Sequence, residues 1–310
     1  EYFNNEKIVD FVLNGSDEAS SWAWTEKGNI YAWGRNNVGQ LGIGDTTDRW
    51  RPAQITAFDP AANNGIVKVQ VGGNGGGTKF YVLDGNGYVW HAGYNGYYEG
   101  LSGDTTNHST LYKSTQSPVA GTTVDFWVAS PNGYGKVWFR TGNGNTYFQG
   151  HQSYYTGGIA VNNNNISSPT LMPNITNLKE VYSVGTYSDA LRTIWLTDDG
   201  RLYGRGYNNY GWNSNQDAGD SYTGESNGSD YRPWRMAMPA GVKPVSIMFW
   251  SNDEGTNYFG PHCQILMNDG RVYFVGAAGR ANQGRQCLGG SQWGTGCLLY
   301  TSDAADDTPC

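Results

Sequence analysis

The fold of this chain is decided by residues 21–47, which read SWAWTEKGNIYAWGRNNVGQLGIGDTT. Two runs rich in aromatic and β-favouring residues, 22–24 and 30–33, flank a turn that contains Gly28. Such runs on either side of a glycine-containing turn are typical of a β-hairpin. The second run passes into a segment punctuated by Gly34, Gly39 and Gly42, so we expect a strand, a tight turn, a second strand and then a structured loop.

Four further segments share the seven-residue frame that begins at Gly28. The frame is a glycine, any residue, a β-favouring residue, an aromatic residue, two residues and a closing glycine, and it occupies 28–34, 87–93, 144–150, 200–206 and 270–276. Successive closing glycines are 59, 57, 56 and 70 residues apart. A unit of short strands that repeats with a period of this size indicates a propeller or a solenoid.

The run from Ala32 to Thr47, followed by Arg51-Pro52, resembles a repeat of the regulator of chromosome condensation family. The second copy keeps Leu-Ser-Gly-Asp-Thr-Thr at 101–106, one residue shorter than 41–47, and the other copies keep only the strand frame. The resemblance covers about residues 8–290 and implies an all-β protein, a β-propeller with blades of four antiparallel strands. It says little about function, because one fold carries many different sites.

We predict a single propeller domain over residues 1–296, built from about five repeats of roughly 57 residues at 8–56, 66–118, 122–173, 178–236 and 242–296. Because rings of the family have about seven blades, and because the chain begins with Glu1, it is expected to be a fragment of a larger ring. Five blades that close by themselves are the alternative. Residues 297–310 fit no repeat, resemble a translated vector or adapter tail, and are predicted to lie outside the blades.

Composition argues against several classes of protein. The net charge is −7 and the pI is about 5.0, whereas a nucleic-acid-binding surface needs clustered Lys and Arg. No apolar run reaches the length of a membrane-spanning helix. The cysteines, at 263, 287, 297 and 310, have no paired CxxC spacing, so we predict no metal site, and either a Cys263–Cys287 disulfide or free thiols.

The sequence carries no motif of a known catalytic centre. A Gly-x-Ser-x-Gly elbow, an HExxH pair, a P-loop and a dinucleotide fingerprint are all missing from the sequence. His91 lies in the repeated strand and is expected to be packed, whereas His108 and His151 lie in polar segments. We therefore predict a protein that is not an enzyme and that needs no cofactor and no metal.

Aromatic and small polar residues follow the closing glycines in several repeats. These residue types are typical of recognition loops, because they combine flat amphipathic area with adaptable hydrogen bonding. Their similar repeat phase places them on one side of a propeller, where they form either a binding face or a set of caps on the blade ends. The candidate binding residues are Tyr97, Tyr98, Tyr154, Tyr155, Tyr210 and Trp212.

We interpret the chain as a recognition or adhesion module for a glycan or a protein surface, as found on microbial surfaces or in phage particles. An extracellular, cell-surface or virion location is favoured over the cytoplasm. A protein-partner regulator is the alternative: a guanine-nucleotide exchange factor, as the family resemblance implies, or an enzyme-inhibitor propeller. The sequence predicts no nucleic-acid partner and no membrane insertion, and it leaves the ligand, the organism and the oligomeric state open.

Overall fold

The computed structural model describes residues 2–15, 19–73, 77–130, 134–152, 157–159, 165–184, 192–206, 234–235, 241–250, 262–276 and 298–300. These residues form strands, turns and irregular segments without an α-helix, in agreement with the predicted all-β class. The chain divides into two compact units. The first unit is Glu1–Gln152 with Asn163–Met172, and the second is Ser153–Asn162 with Pro173–Cys310.

Three four-stranded antiparallel sheets lie in the first unit, apart from the last four residues of the final strand of the third sheet, and in each sheet the strands lie side by side in chain order. The strands of the first sheet are β1 Ile8–Asn14, β2 Ser20–Thr25, β3 Ile30–Gly34 and β4 Arg49–Gln54. Those of the second sheet are β5 Ile66–Gly72, β6 Lys79–Asp84, β7 Val89–Gly93 and β8 His108–Lys113. The third sheet consists of β9 Thr123–Ala129, β10 Lys136–Thr141, β11 Asn145–His151 and β12 Asn165–Thr176.

Two sheets with the same strand order lie in the second unit. The fourth sheet consists of β13 Leu178–Val184, β14 Arg192–Thr197, β15 Leu202–Gly206 and β16 Trp234–Arg235. The fifth consists of β17 Pro244–Trp250, β18 His262–Met267, β19 Val272–Gly276 and β20 Leu298–Tyr300.

The strand β20 differs from the sequence-based expectation, which placed residues 297–310 outside the blades. Leu298 lies opposite Phe274, so this short segment supplies the fourth strand of the fifth sheet. Its sequence Leu-Leu-Tyr is apolar and aromatic, as expected of a strand, but no glycine frame marks it. Residues 301–310 lie outside the described residues, and the domain boundary at 296 otherwise stays a prediction.

Each glycine frame forms the central hairpin of one sheet, as predicted. The opening glycine has a left-handed backbone, with φ between 80° and 86° in all five hairpins. Its N–H donates a hydrogen bond of 2.8–3.1 Å to the carbonyl of the residue three positions earlier. Glycine adopts this conformation without a steric penalty, which explains why the position recurs. The opening glycines are Gly28, Gly87, Gly144, Gly200 and Gly270.

The closing glycines Gly34, Gly93 and Gly150 allow a close approach between two backbone segments. Their φ angles are 102°, 102° and 113°. A Cβ atom on any of the three would lie 2.4 Å from the carbonyl oxygen of the residue that precedes β2, β6 or β10. That same carbonyl accepts a hydrogen bond of 2.8–3.0 Å from the residue after the glycine. The glycine therefore sets where the chain leaves the sheet.

The first strand of every sheet carries a β-bulge at its second residue. The pairing register shifts there, so that this residue has no partner on the neighbouring strand. Its side chain is exposed in all five sheets. The bulge occurs at the same place in each repeat, which shows that the repeats match in backbone detail as well as in strand order. The residues are Val9, Val67, Val124, Lys179 and Val245.

Neighbouring sheets of a unit share apolar cores. Trp22 of β2 stacks on Phe80 of β6, with ring centroids 4.9 Å apart and planes 2° apart. A second cluster joins Tyr81 of β6 to Phe126 and Val137 of the third sheet. All six residues of β6 are buried, as expected for an inner strand covered on both faces.

Phe11 and Phe126 provide a test of this packing, because both are the fourth residue of a first strand. Phe126 is fully buried, whereas 60% of Phe11 is exposed. We expect Phe126→Ala to lower the free energy of unfolding by about 3–5 kcal/mol and Phe11→Ala to change it by less than about 1 kcal/mol. Urea denaturation of the two variants measures the difference. Equal losses would contradict the packing described here.

Candidate functional site

The segment after Gly34 is a folded loop held together by the buried side chain of Asn36. Its amide nitrogen donates hydrogen bonds to the carbonyls of Asp45 at 2.8 Å and Thr47 at 3.2 Å. Its Oδ1 accepts the N–H of Leu41 at 3.0 Å. One amide group supplies both donors and an acceptor, so a single side chain fixes the whole loop.

The loop of the second sheet has the same construction, 59 residues later. Asn95 donates to the carbonyls of Asp104 at 2.9 Å and Thr106 at 3.1 Å, and its Oδ1 accepts the N–H of Gly100. Leu101, with φ 62°, occupies the place of Gly42, with φ 71°. The two loops therefore have equal length, and the deletion that we inferred by aligning Leu101 with Leu41 is wrong.

The glycines of the first loop fasten the first sheet to the second. The N–H of Gly44 donates to the carbonyl of Ser109 in β8 at 2.8 Å, and the N–H of Leu111 donates to the carbonyl of Gly42 at 3.1 Å. A Cβ atom on Gly39 would lie 2.4 Å from the Cα of Ser109. The two glycines of the run Gly39-Gln40-Leu41-Gly42 are thus explained by a close backbone contact between the two sheets.

Tyr98 stands in the second loop where the first loop has Gly39. Its φ is 68°, a left-handed conformation that costs a bulky residue roughly 1–2 kcal/mol. Its carbonyl accepts a hydrogen bond of 2.8 Å from Nε2 of Gln149 in the third sheet, which holds the loop in place. Backbone strain of this kind clusters at functional sites, and the Tyr98 side chain is half-buried.

A fully buried ion pair lies beneath this loop. Lys79 Nζ lies 3.3 Å from Glu99 Oε1. Lys79 also donates to the carbonyl of Gly77 at 2.7 Å and to Ser130 Oγ at 2.9 Å, and Glu99 Oε2 accepts the N–H of Tyr97 at 2.6 Å. Burial lowers the pKa of Lys79 and raises the pKa of Glu99, and the attraction between the two charges opposes both shifts.

Four half-buried rings form one cluster beside the second loop, and we call them the aromatic cap: Tyr94, Tyr97, Tyr134 and His151. Tyr97 lies 5.1 Å from Tyr134 and 5.0 Å from His151, measured between ring centroids, and Tyr134 lies 4.4 Å from His151. Lys79 Nζ lies 5.0 Å from the centroid of Tyr94, within range of a cation–π contact. Burial raises the pKa of Tyr97.

Two of the six predicted binding residues, Tyr97 and Tyr98, are described by the structure, and they lie together on one loop. The other four, Tyr154, Tyr155, Tyr210 and Trp212, lie outside the described residues. The prediction for these six as a binding face therefore stays a prediction.

Sequence reasoning missed the ion pair and half of the cap. Tyr134 lies two residues before β10 and His151 is the last residue of β11, so only the pairing of these two strands brings the rings together. The ion pair did leave a signal. With the 59-residue offset, Lys79 and Glu99 align with the neutral Ser20 and Gln40 of the first repeat. The second repeat therefore has two opposite charges where the first has none, which is the pattern expected of an ion pair.

His91 is packed, as predicted. Its Nε2 lies 3.2 Å from the carbonyl oxygen of Tyr94, and its Nδ1 lies 3.2 Å from Nδ1 of His108. Because a carbonyl only accepts, His91 Nε2 carries the proton, and His91 Nδ1 accepts from His108. Burial holds the pKa of both histidines below the usual value.

Within the described ranges, no three His, Cys, Asp or Glu side chains come close enough together to hold a metal ion. A search of the same ranges for a helix long and apolar enough to span a membrane found none.

A profile of the regulator of chromosome condensation (RCC1) repeat matches residues 27–75. The match runs from the hairpin turn of the first sheet, through the loop of Asn36, to the end of β5. It confirms the resemblance inferred from the residues of the first repeat.

Two curated proteins and one solved structure illustrate what the chain is similar to. Ras guanine nucleotide exchange factor C of Dictyostelium discoideum is 29% identical over 132 residues, 42% of this chain and 8% of that protein. Ultraviolet-B receptor UVR8 of Arabidopsis thaliana is 29% identical over 189 residues, 61% of this chain and 39% of that protein. Prp20p of Saccharomyces cerevisiae, whose structure was reported with its binding to Gsp1p and histones, has a TM-score of 0.58 at 21% identity, over 87% of this chain and 57% of that one.

The chain thus spans less than two thirds of the length of each of these proteins. At this level of identity the structural likeness concerns the fold. It confirms the predicted class, a β-propeller of the regulator of chromosome condensation type. The expectation of a fragment of a larger ring stays a prediction.

The buried ion pair predicts a non-additive effect of two substitutions. Glu99→Gln leaves the Lys79 ammonium without its counter-charge, and we expect a loss of about 3–5 kcal/mol in the free energy of unfolding. The double variant Lys79→Ser/Glu99→Gln reproduces Ser20 and Gln40 of the first repeat and should lose less than Glu99→Gln alone. Chemical denaturation measures the single variants Glu99→Gln and Lys79→Ser and the double variant. A double variant as unstable as the sum of the two single variants would refute the coupling.

His151 predicts loss of stability in acid. Burial and the charge of Lys136 lower its pKa from 6.5 to about 4, so the folded state binds this proton less readily than the unfolded state. Its contribution is complete above pH 6.5 and is lost as the pH falls from there towards 4. We expect the wild type to lose more thermal stability than His151→Gln between pH 7.5 and pH 5. Melting curves of both proteins at the two pH values measure this difference. An equal or smaller loss in the wild type would contradict the prediction.

Proposed function

We propose that the chain is a protein-binding regulator. The proposal is supported by its match to a repeat of the regulator of chromosome condensation family and by its fold, which is that of the family's β-propellers. The contact surface includes the aromatic cap and Tyr98. The single observation that carries the proposal is a partly exposed group of aromatic rings, fixed from below by the ion pair of Lys79 and Glu99.

The relatives favour a protein partner over the glycan that we put first from the sequence alone. They are named as an exchange factor for Ras and as an ultraviolet-B receptor, and neither name points to adhesion, a virion or a carbohydrate. An extracellular or cell-surface location stays a prediction.

The geometry of the cap supports the same choice. Its rings meet tilted or edge to face, with interplanar angles of 46° between Tyr97 and Tyr134 and 73° between Tyr97 and His151. The rings therefore do not form one flat surface of parallel faces, on which a sugar would stack. A rigid, mixed aromatic patch suits a protein interface, in which tyrosines are frequent hot spots.

Anchoring of the cap lowers the cost of binding. Glu99 accepts the N–H of Tyr97, and Gln149 donates to the carbonyl of Tyr98, so both tyrosines sit on a backbone that is already fixed. Less conformational entropy is then lost when a partner binds, which is the usual benefit of a preorganised surface.

Small GTPases are the first probes, since one relative is named as an exchange factor for Ras. The immobilised protein would be offered a panel of GTPases, nucleotide-free and GDP-loaded, and in parallel a glycan array. We expect a GTPase or another purified protein to bind, and Tyr97→Ala to weaken binding at least about tenfold. Faster release of GDP in the presence of the chain would identify the regulation as nucleotide exchange.

Two variants control this experiment. Tyr98→Gly relieves the left-handed strain and should fold at least as well as the wild type, so its weaker binding cannot be blamed on unfolding. Trp50 in β4 is 93% exposed, and Trp50→Ala should bind within about twofold of the wild type. Protein binding that survives Tyr97→Ala and Tyr98→Gly would place the interface elsewhere. Binding to a glycan alone would overturn the proposal.

A further inference from the structure

Lys136, the first residue of β10, has an unusual environment. Its side chain is fully buried, and its Nζ has no hydrogen-bond partner among the residues that the structure describes. A buried ammonium group without a partner is strongly destabilising, so such a group is rarely left unsatisfied without a function.

Lys79 shows what this position is built to hold. Lys79 and Lys136 are each the first residue of a second strand, and each lies opposite the closing glycine of its repeat, Gly93 or Gly150. In the second sheet the ammonium group is satisfied by a carboxylate, a hydroxyl and a carbonyl oxygen. The carboxylate, that of Glu99, is the charged member of the set.

The third repeat does not supply the matching carboxylate. Glu99 is the sixth residue after its closing glycine, and the sixth residue after Gly150 is Thr156. Backbone conformation supports this alignment of the three repeats. The eighth residue after the closing glycine has a left-handed backbone in each of them, with φ of 71°, 62° and 84° for Gly42, Leu101 and Gly158. The sequence of the third repeat therefore has no acid at the position that Glu99 holds in the second repeat.

We propose that Lys136 forms an anion site that accepts a carboxylate from outside its own repeat. The carboxylate is that of a small free anion such as formate or acetate, because the Nζ of Lys136 is fully buried and out of reach of a side chain on a docked protein.

The neighbouring charges agree with this assignment. Burial lowers the pKa of Lys136 to about 7. A bound anion favours the charged ammonium form, so at neutral pH its binding should be accompanied by protonation of Lys136. His151, in the cap, cannot supply the counter-charge, because an imidazole is either neutral or positive, and its own pKa is about 4.

The test compares the wild type with Lys136→Met in sodium formate and in sodium chloride of equal ionic strength. We expect formate to raise the melting temperature of the wild type by about 2 °C or more and to leave Lys136→Met unchanged. NMR spectra of protein labelled with ¹³C at lysine Cε follow the titration of each lysine, and the signal of Lys136 is the one that Lys136→Met removes. Formate should raise the pKa that this signal reports. A blocked hexaglutamate peptide is too large to enter the enclosed site and should leave the melting temperatures of both proteins unchanged.

Lys136→Ser provides a second variant that should fold, because Ser20 holds the same place in the first sheet, opposite its closing glycine Gly34. It removes the ammonium group and should abolish the response to formate. Tyr97→Ala should keep the formate response, which separates this site from the proposed interface. The proposal is overturned if formate acts equally on the wild type and on Lys136→Met, or on neither, or if Lys136→Ser keeps the full response.

Discussion

A shared carbonyl oxygen at the end of each central hairpin is the constraint on which the rest of the first unit depends. The backbone passes so close to this oxygen that only glycine fits at Gly34, Gly93 and Gly150, and the next N–H then bonds to the same oxygen. This contact fixes where the chain leaves one sheet. The direction of the following loop, its contact with the next sheet and the placement of its side chains all follow.

The loops show how one backbone can carry different chemistry. Asn36 and Asn95 hold the first and second loops by equivalent hydrogen bonds. The residues that face the neighbouring sheet differ: a neutral serine and glutamine in the first repeat, and Lys79 with Glu99 in the second. Since the hydrogen bonds made by Asn36 and Asn95 do not depend on these side chains, a repeat can acquire charges and aromatic rings without losing its fold. The aromatic cap is such an acquisition.

The sheets and hairpins could be predicted from the sequence because their signals are local. A glycine at a left-handed turn and a pair of apolar runs mark each hairpin within about ten residues of sequence. The fourth strand of the fifth sheet could not be predicted, because Leu298–Tyr300 pairs with β19 across a long separation and carries no frame of its own. Only part of the cap could be predicted, for a similar reason: Tyr97 follows a closing glycine, whereas Tyr134, two residues before β10, and His151, at the end of β11, meet because β10 pairs with β11.

The bulge at the second residue of each first strand has a consequence for solubility. In every sheet the first strand is an edge, with one row of backbone groups that has no partner within that sheet. A regular edge would be a template for another chain to add a strand. The bulged residue, such as Val67 or Val124, twists the edge strand and interrupts the regular spacing of its backbone N–H and C=O groups. A protein made of many small sheets thereby limits the strand-to-strand polymerisation that its repeated architecture would otherwise invite.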